Sequence, residues 1–103
     1  MGFFDKIKEG LAKTKKAMAN TLDAVSVFGR YVMNTHIKDG FYPTEGRSLG
    51  KEAPVGQGVA NVGAVVRRLE EIGYTGPFVI EREISGEQQI RDIKMTQEFL
   101  LSL

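Results

Sequence analysis

The sequence has no cysteine, no tryptophan and a single histidine, His36. The first absence excludes disulfides, zinc knuckles, iron–sulfur clusters and a cysteine nucleophile. One histidine excludes a multi-histidine metal centre, so a metal site here must lean on carboxylates or on ligands from another chain. A dominant charge is missing as well. The 14 basic residues against 13 acidic ones leave a formal net charge of +1, which argues against a nucleic-acid partner. No uncharged apolar run approaches the roughly 18–20 residues of a membrane span. The opening Met-Gly-Phe-Phe-Asp-Lys lacks the apolar core of an export signal. Lys6 stands where a myristoylation signal needs Ser or Thr. A cytoplasmic protein is the expectation.

What is present is one domain's worth of chain: 103 residues, 42% hydrophobic, 26% charged, within the ordinary globular range. Glycine is abundant, at 12 residues. Residues 1–21 read as a basic amphipathic helix. Phe3, Phe4, Ile7, Leu11 and Met18 recur at helical spacing, and Lys6, Lys8, Lys13, Lys15 and Lys16 face only Asp5 and Glu9. The apolar stripe runs on to Phe28, with Gly29 as a C-cap. Residues 31–37 are aromatic and β-branched and predict a strand. Residues 40–61 hold five glycines and two prolines and predict a long loop, a length that is usually functional or disordered. Val62, Val65, Val66, Leu69 and Ile72 predict a helix closed by Gly73, and residues 78–81 a short strand. Ser85 and Gln88 have capping-box spacing ahead of a last helix. The order is α-β-α-β-α, so the expected class is α/β with a parallel sheet. Two parallel strands make no stable sheet alone, which predicts completion by self-association.

His36 and Glu81 each fall at the carboxyl end of a predicted strand, where α/β barrels and open sheets bind ligands. An imidazole and a carboxylate suit Mn, Co, Mg or Zn. Asp39, three residues on, can orient a ligand or hold a water. Spacing alone favours the plainer reading, a hydrogen-bonded histidine and a surface glutamate. Arg47 and Lys51 within the Gly-rich segment can hold a sugar phosphate, because glycine lets backbone N–H groups approach an anion. A solvated loop is the plainer reading there too.

Residues 22–103 resemble the C-terminal quarter or so of the sugar-phosphate isomerase/epimerase family, the xylose isomerase-like (β/α)8 barrels. The resemblance is carried by YVMNTHIKDG at 31–40, Gly50-Lys51-Glu52, Pro54-Val55-Gly56-Gln57-Gly58, LEEIGYTG at 69–76 and Phe78 through Gly86. It implies that the two βα units are the seventh and eighth of a barrel. It implies that His36 is the metal ligand of the seventh strand. Glu81 is then the carboxylate of the eighth, which also takes part in proton transfer beside the sugar carbonyl. Asp39 matches an acidic position that supports the substrate or the metal shell, and Gln57 stands where the family often has Glu. The family's two other metal ligands come from the fourth and fifth strands, which have no counterpart in this sequence. The resemblance thus implies a relative with half a metal site, inactive by itself, that takes a sugar or sugar phosphate only once the site is completed.

Residues 1–20 instead resemble the first amphipathic helix of the bacterial signal-recognition-particle receptor, on Gly2-Phe3-Phe4-Asp5-Lys6-Ile7-Lys8-Glu9-Gly10-Leu11 and the lysines that follow. No Gly-x-x-x-x-Gly-Lys-Ser/Thr accompanies it, so no nucleotide site is expected. The chain reads as a chimera joined near Asn20–Asp23. Two non-catalytic readings stand beside the enzyme: a self-associating α/β mini-domain, and a membrane-surface module led by the basic helix. Cover for the orphaned strands is the favoured use of that helix.

Overall fold

A computed structural model describes residues 2–5 and 24–103 of the chain. The expected basic helix and its junction lie mostly outside them. Residues 24–28 are helical and run into a 3-10 turn at Gly29–Tyr31. The strands are β1 (Thr35–Ile37), β2 (Asp39–Phe41), β3 (Lys51–Ala53) and β4 (Phe78–Ile80), and the helices are α1 (Val62–Glu71) and α2 (Glu87–Leu101). β1 pairs with β4 in parallel, with His36 opposite Val79 and Ile37 opposite Ile80. The two expected βα units are therefore side by side, joined by a connection that carries α1. The predicted first strand is shorter than expected at its start. The Val32 N–H closes the 3-10 turn on the Gly29 carbonyl, and the Asn34 side chain accepts the Thr35 N–H, so pairing begins only at Thr35.

The expected loop at 40–61 is not structureless. β2 and β3 form an antiparallel hairpin, with Asp39 opposite Ala53 and Phe41 opposite Lys51. The chain beyond β3 folds back under it: Val55 enters the core, and the Val59 N–H donates to the Gly40 carbonyl at 2.8 Å.

α1 forms where its apolar period demands it. Val62, Val66 and Leu69, spaced four and three apart, are the buried face. It stops at Gly73, whose φ of +92° is the left-handed conformation that glycine adopts without a steric cost. The Tyr74 N–H reaches back to Leu69 and the Gly73 N–H to Glu70, which satisfies the last carbonyls in a Schellman arrangement. α2 starts differently from expectation. Its N-cap is Gly86 with no side-chain cap, and Gln88 turns forward to Asp92 instead of back to Ser85. The core lies between the strand pair and the two helices: Ile37, Val55, Val62 and Val66, flanked by Phe78, Phe99, Leu100 and Leu103. Among the described residues no helix is long and apolar enough to cross a membrane.

Candidate functional site

Strand polarity brings His36 and Glu81 together. His36 lies on β1, and Glu81 directly follows β4, where its N–H extends the ladder by donating to the Ile37 carbonyl at 3.0 Å. Side chains on one face of paired parallel strands meet, and His36 Nδ1 lies 2.8 Å from Glu81 Oε2. An ionised carboxylate only accepts, so Nδ1 carries the proton; in the neutral ring Nε2 is then the acceptor nitrogen. The other Glu81 oxygen faces Lys38 Nζ at 3.3 Å, and that ammonium also pairs with Glu83 at 2.7 Å.

This surrounding explains the acidity of Glu81. The His36 hydrogen bond first, and the Lys38 ammonium with it, hold its carboxyl down at about 2. The Lys38 ammonium is correspondingly raised, chiefly by its hydrogen bond to Glu83. Glu81 is depressed on folding, so its contribution to stability is full above the ordinary carboxylate value of 4.5 and is lost as pH falls through about 2. NMR titration of the side-chain carboxyl carbons is expected to show Glu81 still ionised where ordinary glutamates are half protonated. A midpoint near the ordinary value would mean that the three-residue cluster does not persist in solution.

The resemblance implies a divalent metal at this pair. His36 and Glu81 supply two ligand atoms, whereas such ions take four to eight. One carboxylate oxygen already faces a lysine. Among the described residues no group of three or more His, Asp or Glu side chains is arranged to hold a metal. These residues alone do not fit a resident metal.

Asp39, of which substrate or metal support was expected, is engaged by backbone amides. It is buried, and its two oxygens accept the backbone N–H groups of Gly40, Gly56, Gly58 and Ala60 at 2.8–3.1 Å. A methyl group at Gly58 would run into this carboxylate. Asp39 thus ties the hairpin to the loop behind it. Arg47 and Lys51 do come together, on an open groove of about 460 Å³ along the hairpin. The groove of about 540 Å³ beside the start of α1 lies away from the His36–Glu81 pair.

Lys38 and Arg82 escaped sequence reasoning. Lys38 was recoverable, since extending the β1–β4 register by one step sets it opposite Glu81. Arg82 is nearly buried and joins Glu52 of β3 to Asp92 of α2, at 3.2 and 2.8 Å. That ion network fixes the segment following Glu81. Its members come from three elements, so no local spacing announces it.

The strand pair, its crossover and the helix after it have the form of a barrel segment, and comparison with known proteins identifies the barrel. The model of the xylose isomerase-like TIM barrel family matches residues 9–103. This chain belongs to that family. A solved structure of similar fold is the xylose isomerase domain protein from Planctomyces limnophilus, 36% identical, with a TM-score of 0.70. The match covers 79% of this chain and 30% of that one, so the chain spans under a third of that relative. No curated protein matches. As a xylose isomerase-like fragment the chain contributes parallel strands without closing a barrel. The family match opens at residue 9, inside the segment expected to be a separate receptor-like helix.

Proposed function

We propose that the chain is a relative of the sugar (phosphate) isomerases and epimerases that carries half of a metal site, His36 and Glu81, and is catalytically silent by itself. The observation that supports this is the 2.8 Å approach of these two side chains at the carboxyl ends of paired parallel strands. In such barrels that end carries the chemistry. The electrostatics of the pair support silence. A carboxylate held at about 2 takes up protons poorly at neutral pH, whereas an efficient general base sits near the working pH. His36 is already committed to one Glu81 oxygen and Lys38 to the other. His36 and Glu81 therefore orient each other here, and Lys38 neutralises the carboxylate that the remaining barrel would otherwise engage.

Self-association is the second reading, favoured by one feature: among the described residues, β1 and β4 each pair with one strand only. A second copy is the partner this edge geometry suggests.

Titration with Mn²⁺, followed by calorimetry and by the manganese electron paramagnetic resonance signal, tests the first reading. Weak uptake is expected, and it is lost in both His36→Ala and Glu81→Gln. Tight binding by the wild-type chain, or binding indifferent to both substitutions, would overturn it.

A further inference from the structure

We infer that the Asp39–Gly40 step is a covalent modification site: it closes to a succinimide and reopens as isoaspartate once the hairpin opens, and the folded chain holds it unreacted.

The chemistry needs only the two residues and water. The Gly40 backbone nitrogen attacks the Asp39 carboxyl carbon. A C–N bond forms, a C–O bond breaks, and the carboxyl hydroxyl leaves as water with the amide proton. Water then adds back to either carbonyl of the ring. Addition at Cγ restores the aspartate, whereas addition at the main-chain carbonyl routes the backbone through the Asp39 side chain. The sequence confines this to one place. Asp5, Asp23 and Asp92 precede Lys6, Ala24 and Ile93, and Asn20, Asn34 and Asn61 precede Thr21, Thr35 and Val62, so only Asp39 is followed by glycine. Glycine has no Cβ to shield its nitrogen.

Three observations show that the fold both requires this step and restrains it. First, the hairpin demands the glycine. A Cβ at Gly40 would lie 2.7 Å from the Lys51 carbonyl oxygen on the paired strand. Second, the Gly40 N–H donates to Asp39 Oδ1 at 2.8 Å, so the nitrogen presents its proton, not its electron pair, to the carboxyl group. The same carboxylate is held by the N–H groups of Gly56, Gly58 and Ala60, and ring closure would take it away from all four donors. Third, the main chain on either side cannot turn. Asp39 is 5% exposed and paired opposite Ala53, and the Gly40 carbonyl accepts the Val59 N–H at 2.8 Å. Ring closure needs the backbone to rotate until the Asp39 Cβ lies beside the Gly40 nitrogen, and that rotation waits until β2 leaves β3.

The product does not fit the fold. Isoaspartate adds one main-chain carbon between positions 39 and 40, which breaks the β2–β3 register. Its carboxylate sits directly on Cα, one carbon shorter, and falls short of the loop amides. Opening of the hairpin is therefore followed by a covalent step that bars the way back, a chemical route to irreversible unfolding.

The test incubates the whole chain in warm neutral buffer, with and without guanidinium chloride. Mass spectrometry reads the loss of one water, isoaspartyl methyltransferase reads the product, and a protease that cuts before aspartate reads position 39. In guanidinium the chain is expected to gain methyl acceptance and to lose the cut before residue 39. In native buffer conversion is expected to be about a hundredfold slower or more, because it follows the open population and opening gives up several charge-assisted hydrogen bonds. Gly40→Val, compared in guanidinium where the fold plays no part, is expected to convert several-fold more slowly. On dilution from denaturant, the fraction that refolds by circular dichroism is expected to fall in step with isoaspartate content. Equal rates in native buffer and guanidinium, product at another position, an unchanged rate in Gly40→Val, or full refolding of the converted chain would overturn the inference.

Discussion

Replacing Asp39 with alanine is expected to abolish cooperative unfolding in a urea titration followed by circular dichroism. Asp39 is one buried carboxylate that serves four backbone donors. A hydrogen bond to a charged group contributes about 1.5–3 kcal/mol, and a buried donor left without its acceptor bears a desolvation cost of similar size. The four bonds are not additive, yet two of them already rival the lower end of the roughly 5–15 kcal/mol that holds a typical domain folded. The loop that Asp39 gathers also delivers Val55 to the core, so loss of the anchor removes apolar burial as well. Asp39→Asn keeps one carbonyl oxygen and is expected to fall between the alanine variant and the wild type. An alanine variant with an unchanged midpoint would show that the loop holds itself.

The second large effect is expected at Arg82. In Arg82→Met the side-chain volume is nearly kept, but Asp92 and Glu52 lose their shared counter-ion. Asp92 is 3% exposed, and water cannot readily replace the guanidinium there. Removing one partner of a buried ion network is strongly destabilising, because the remaining charges stay desolvated. The melting temperature is expected to fall by roughly 10 °C, the scale for such a loss in a chain of this size. The exposed i,i+3 pair of Arg68 and Glu71 supplies the contrast, and Glu71→Gln is expected to leave the melting temperature nearly unchanged. Equal responses of the two sites would mean that the Arg82 network is solvated.

The parts of the fold that local chemistry controls were legible in the sequence. The four-and-three spacing of Val62, Val66 and Leu69 announces α1, and Gly73 marks its end. Phe78–Ile80 reads as a strand because it is short, apolar and bounded by a turn. The hairpin was not legible. Asp39-Gly40-Phe41 and Lys51-Glu52-Ala53 have no alternation of apolar residues, and they pair because Asp39 organises the chain behind them. The same distinction holds at the site. His36 and Glu81 were visible as strand-end residues, and their meeting required only parallel pairing. The backbone partners of Asp39 were not legible, since an acidic residue three positions from a histidine gives no sign that loop amides will claim it. Arg82 was passed over because its partners depend on where β3 and α2 come to rest.

The parallel pairing of β1 with β4 has a consequence for the order of events in folding. His36 and Glu81 are separated by 45 positions, and the connection between them contains the hairpin, the Asp39-tied loop and α1. Closing so long a contact costs chain entropy that local elements do not recover, and non-local pairings of this kind form late. The His36–Glu81 pair is thus assembled only when nearly all of the described chain has found its place. It is also the first feature to vanish when β4 detaches, even if α1 and the hairpin survive. The hydrogen bond between His36 and Glu81 is in this sense a gauge of the whole fold's integrity, built into the very atoms proposed to meet the ligand.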